Sequence, residues 1–78
     1  MASGKYIVQC KDWQSNVGEK EVRDLYGVVC SEDANKGILI ARFGFTSSAL
    51  TFATGKRLEL IDGEQLAKLV ATYLGQGG

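Results

Sequence analysis

The chain has 78 residues, nine basic and nine acidic side chains, no histidine, no proline and 45% hydrophobic residues. That length fits one small domain burying only about 60–65% of the surface its unfolded chain exposes, with an apolar content that is globular and not disordered. Zero net charge speaks against strong nonspecific DNA binding, the lack of histidine removes catalytic triads and imidazole zinc sites, and no window approaches the ~18 apolar residues of a membrane span.

Tyr6 to Lys11 reads as a strand. Alternation puts Gln9 and Lys11 on one side and Tyr6, Val8 and Cys10 on the other. An amide and an ammonium on one face of an apolar strand admit two readings, a strand running out into solvent or a site. Asp12 to Gly18 is a polar connection broken by Asn16 and Gly18. A helix is predicted over 19–34, because Val22, Leu25, Tyr26 and Val29 recur at helical period. Asn16 with Glu19 forms an expected capping box, Glu19 and Glu21 suit the positive helix start, and Gly27 suits close packing on a sheet. Asn35-Lys36-Gly37 stops this helix, with Gly37 in the left-handed turn.

Ile38 to Ala41 is an unbroken apolar run ending in Arg42-Phe43, the pattern of a central parallel strand covered on both faces. After Gly44-Phe45, Thr46 or Ser47 caps a second helix through about Thr54, with Ala49, Leu50, Phe52 and Ala53 as its apolar positions. Backbone N–H groups at that start could hold a phosphate. Gly55 ends the helix. Lys56-Arg57 follows and could join Arg42 in a local basic patch. Leu58 to Ile61 is a third strand, and Asp62 with Gln65 caps a last helix. Leu66, Leu69, Val70, Tyr73 and Leu74 form its apolar stripe, and residues 75–78 read as a flexible glycine-rich tail.

Strands alternating with helices imply right-handed crossovers and a parallel sheet. Three strands leave two edges, one of them expected to be the strand carrying Gln9 and Lys11. Exposed edges are normally covered, so a homodimer or a complementing chain at that edge is expected. Cys10 and Cys30 read as two buried free thiols in a reducing cytosol. The first residues lack the apolar core of a signal peptide, so the expected location is cytoplasmic, with no membrane. Neither glycine-loop nucleotide motif is present.

Five pieces stand in a telling order: Val8-Gln9-Cys10-Lys11; Val22-Arg23-Asp24-Leu25-Tyr26-Gly27; Lys36-Gly37-Ile38-Leu39-Ile40; Gly44-Phe45-Thr46 with Ala49 and Phe52-Ala53; and Leu60-Ile61-Asp62-Gly63 with Leu66. Together they resemble the C-terminal part of the Mrr-type restriction endonuclease domain, in the PD-(D/E)xK nuclease superfamily, from about Tyr6 to Leu74. The resemblance implies an α/β fold over residues 1–78, a restriction-endonuclease-like core reduced to a βαβαβα unit. Its three-stranded, mainly parallel sheet is flanked by helices.

The resemblance also places Gln9 and Lys11 at a metal-dependent phosphodiester cleavage site. Lys11 would lie near the attacking water or scissile phosphate, and Gln9 would stand where relatives carry a glutamate. The implied cation is Mg²⁺. Arg42, Thr46, Ser47, Lys56 and Arg57 are the candidate phosphate or DNA contacts. The family's metal-binding aspartate lies on a strand upstream, whereas Met1 to Lys5 holds no carboxylate, leaving Gln9 as at most one weak ligand. The leading expectation is a nuclease-fold chain that does not cleave DNA alone. The alternatives are an active Mg²⁺-dependent endonuclease completed by a second subunit and a noncatalytic self-association or protein-interaction module.

Overall fold

A computed structural model describes residues 4–77, in the order β1 (Tyr6–Lys11), α1 (Glu19–Ser31), β2 (Lys36–Ala41), α2 (Ser47–Ala53), β3 (Leu58–Asp62) and α3 (Gly63–Gly77). The three strands form one parallel sheet in the order β1-β2-β3. The ladders pair Tyr6 with Lys36 through Lys11 with Ala41, and Gly37 with Leu58 through Ala41 with Asp62. The fold is therefore the expected α/β unit, with β2 central and β1 at an edge.

Strand order decides where the core lies. Both crossovers step in the same direction, and right-handed crossovers stepping the same way put both their helices on the same face. That face carries Ile7, Leu39, Ala41, Leu58 and Leu60, packed with Val22, Leu25 and Val29 of α1 and Ala49 of α2. Val22, Leu25, Val29, Leu39 and Ala49 have no solvent exposure. Val17 is equally buried and was not legible in its polar connection. Its N–H donates to Gly44 O at 2.9 Å and its carbonyl accepts from Thr46 N at 3.0 Å.

Among the described residues the opposite face has only α3, which packs on β2 and β3. Ile38 and Ile40 are therefore half-buried, and the expectation that β2 is covered on both faces holds on one face alone. The apolar stripe of α3 is uncovered too: Leu66, Leu69, Val70, Tyr73 and Leu74 are all exposed. Helix α3 continues through Gly75 to Gly77, where a tail was expected, and Gly78 lies outside the described residues.

Several local expectations change for identifiable reasons. Helix α1 ends at Ser31, short of Ala34, and Asp33 takes the left-handed turn (φ 52°) assigned to Gly37. Gly18, with no side-chain cap, stands at the N-cap of α1, while Asn16 Nδ2 reaches across to Phe45 O at 3.3 Å. Gly27 faces open space and does not pack on the sheet. Both cysteines are free and exposed, because Cys10 alternates onto the open face of β1 and Cys30 lies off the buried stripe of α1. The other caps form as expected: Thr46 Oγ1 accepts from Ala49 N at 3.2 Å. Asp62 and Gln65 exchange reciprocal bonds of 2.8 and 3.0 Å.

Candidate functional site

A parallel sheet ends all its strands on one side, so the residues that leave β1 and β2 gather there. Here the carboxyl ends of β1 and β2, with the start of α3, border an open cleft of about 600 Å³. Lys11 and Asp12 come from β1 and its exit, Arg42 and Phe43 follow β2, and Glu64 and Leu66 come from α3. Gly63 closes the floor: its N–H donates to Arg42 O at 3.1 Å. A β-carbon there would stand 2.5 Å from that same oxygen, so no larger residue fits without moving α3.

Gln9 and Lys11 share one side of β1, as alternation requires, and both are half-buried. Lys11 lines the cleft, and Gln9, two residues back beside Leu39, does not. The Lys11 ammonium stands 5.6 Å from the centre of the Trp13 ring. Arg42 Nη1 donates to Asp12 Oδ1 at 3.3 Å, and its guanidinium lies 5.5 Å from the Phe43 ring centre. Both members of the Arg42–Asp12 pair are largely exposed, so the pair contributes about 0–1 kcal/mol and exchanges readily.

A hard cation needs several oxygen ligands converging on one point. Among the described residues no group of three or more histidine, cysteine, aspartate or glutamate side chains could hold a metal. Asp12 is turned to Arg42, Asp62 to the Gln65 N–H, and Glu59 to Lys36 at 3.4 Å. The residues present around Gln9 and Lys11 do not fit Mg²⁺. Asp24, on the surface of α1, pairs with Lys20 at 3.0 Å, and this bond and charge hold the Lys20 ammonium above its ordinary pKa.

The other candidate contacts divide between two ends of the sheet. Arg42 borders the cleft, and Thr46 and Ser47 open α2 after the turn that leaves β2. Thr46 Oγ1 already accepts the Ala49 N–H, and Ser47 shares a shallow recess with Glu19, whose carboxylate opposes an anion. Lys56 and Arg57 precede β3 and so lie at the amino ends of the strands, roughly 15–20 Å from Lys11 along the sheet. The Lys56 ammonium stands 4.3 Å from the Phe52 ring centre and donates to Phe52 O at 2.8 Å. Arg57 Nη1 donates to Ala34 O at 2.9 Å. Trp13, Phe43 and Glu64 were not singled out by sequence. Only their adjacency to strand ends and a helix start could have drawn notice to them.

A family model, Mrr_cat, described as a restriction endonuclease, matches residues 1–70. The type IV methyl-directed restriction enzyme EcoKMrr of Escherichia coli (strain K12) is 40% identical over 67 residues, covering 85% of this chain and 22% of that enzyme. The uncharacterised protein y4cE of Sinorhizobium fredii (strain NBRC 101917 / NGR234) is 31% identical over 75 residues, 90% of this chain and 19% of that protein. The chain thus spans about a fifth of the length of these curated relatives. No solved structure gives a significant match.

Proposed function

Because the chain belongs to the restriction endonuclease family that the Mrr_cat model describes, we propose that it is a partial Mrr-like nuclease domain, unable to cleave DNA alone. In this reading Lys11 and Gln9 are vestigial as catalytic groups: the Lys11 ammonium meets a DNA phosphate by charge alone, and Gln9, which does not line the cleft, takes no part. Arg42 is the second phosphate contact, since it shares the cleft with Lys11. The observation that carries the proposal is the mismatch inside the cleft. It holds Lys11, which this reading takes as the family's lysine, yet among the described residues no carboxylate cluster accompanies it that could hold the cation such nucleases usually need. Two free, exposed thiols fit a reducing, cytoplasmic location.

The test is plasmid cleavage with Mg²⁺ and with Mn²⁺, run beside Lys11→Ala purified identically. The expected outcome is no cleavage by either protein. Cleavage by the parent that disappears in Lys11→Ala would overturn the proposal in favour of a second reading, an active endonuclease completed by a second copy. One observation favours that alternative: the open sheet face and the uncovered stripe of α3 adjoin the cleft through Leu66.

A further inference from the structure

Two exposed aromatic rings stand at the carboxyl ends of neighbouring strands, each with a cation near its ring. Trp13 follows Lys11 by two residues, and Phe43 follows Ala41 by two. Lys11 and Ala41 are the last paired residues of the β1–β2 ladder, whose strands run about 4.8 Å apart. The Lys11 ammonium is 5.6 Å from the Trp13 centroid and the Arg42 guanidinium 5.5 Å from that of Phe43. Neither ring joins the core: Trp13 is 40% exposed and Phe43 53%.

We infer that this end of the sheet binds an unpaired stretch of DNA, with bases stacked on Trp13 and Phe43 and adjoining phosphates held by Lys11 and Arg42. The inference rests on the DNA-related reading above and adds the state of the strand. In a duplex the faces of the bases are hidden against one another, leaving edges and phosphates. An exposed aromatic face becomes useful only to a base that has left the stack. Alternating rings and cations is what a single strand requires, because every base offers a π-face and every linkage a charge. The exposed Arg42–Asp12 pair exchanges its carboxylate for a phosphate at little cost. Glu64, on the α3 side of the cleft, is paired with Lys68 at 3.9 Å, so the cations that face the strand are Lys11 and Arg42.

Trp13 is the single tryptophan of the chain, so its fluorescence reports occupancy without cleavage and without metal. The experiment titrates the full chain, in EDTA, with short oligo(dT) and with a duplex of the same length, over a series of salt concentrations. Oligo(dT) is expected to quench Trp13 and to bind more tightly than the duplex. Phe43→Leu should weaken oligo(dT) binding about tenfold or more with an unaltered salt slope, and Phe43→Tyr should restore it. Arg42→Gln should instead reduce the slope by about 0.7. Equal affinity for both forms, or parent-like oligo(dT) binding by Phe43→Leu, overturns the inference while leaving the nuclease-family reading of Lys11 in place. Failure of both DNA forms to bind overturns the two together.

Discussion

A β-carbon added at Gly37 would stand 2.5 Å from Val29 Cγ2, 3.1 Å from Leu58 Cδ2 and 3.2 Å from Leu25 Cγ. Val29 and Leu25 are fully buried, so neither can turn aside without disturbing the core. Gly37→Ala is therefore expected to destabilise by about 1–3 kcal/mol through overpacking. Gly27 is the opposite case, an exposed helical glycine with nothing within 4 Å of its would-be β-carbon. Gly27→Ala should stabilise by up to about 1 kcal/mol through helix propensity. Urea midpoints measure both, and a Gly37→Ala midpoint at or above the parent's would refute the packing described here. Sequence alone had these two roles reversed, giving Gly27 the close contact and Gly37 the turn. Propensity shows where a glycine weakens a helix, but not which side chains stand across from it. The same limit applied to Lys56 and Arg57, whose charges were legible and whose partners, Phe52 and Ala34 O, were not.

At the scale of elements, the start of β1 is tied to the end of α1 by a small polar joint. The Lys5 N–H donates to Asn35 Oδ1 at 2.9 Å, the Asn35 N–H donates to Lys5 O at 2.8 Å, and the Lys5 ammonium meets Glu32 Oε1 at 2.6 Å. The hydrogen bond from Lys5, and then its charge, hold the Glu32 carboxyl below its ordinary pKa of 4.5. A depressed carboxyl pKa stabilises the fold at pH values above that ordinary value, and the contribution is lost as pH falls through the lowered one. Both side chains are about half exposed, so the effect is modest. Glu32→Gln should lower the urea midpoint slightly at neutral pH and flatten its fall on acidification below about pH 4.5. A parent and variant that lose stability in parallel would show that the joint contributes nothing. The elements themselves were legible, six in the right order, because caps at Thr46 and Asp62 and turns at Gly44 and Gly55 punctuate them. The strand order was legible too, because the unbroken apolar run marked β2 as central and left β1 at an edge. The uneven cover of the two faces was not, since periodicity marks a buried face without saying which helix lies on it. The strand order is what leaves α3 alone on its face.

For the whole molecule, the consequence is uncovered apolar surface. Of eleven exposed large hydrophobic side chains among the described residues, seven lie on β1 and α3, an apolar surface of the kind that marks an interaction site. It includes Tyr6 and Val8 on the open face of β1, and Leu69, Val70, Tyr73 and Leu74 on α3. Only two charged side chains lie on α3, Glu64 and Lys68, and they stand 3.9 Å apart, so two such helices can approach without net repulsion. We propose that a second copy covers this face, beside the β1 edge where strand pairing alone places it. Sedimentation equilibrium over a concentration series should show a monomer–dimer equilibrium, with a thermal midpoint that rises with protein concentration. Leu69→Lys with Tyr73→Lys should abolish the dimer and leave the fold intact, because both side chains are 54% and 80% exposed in the monomer. A parent that stays monomeric at every concentration would remove the second copy from consideration, and with it the route by which a partner copy could complete the cleft around Lys11.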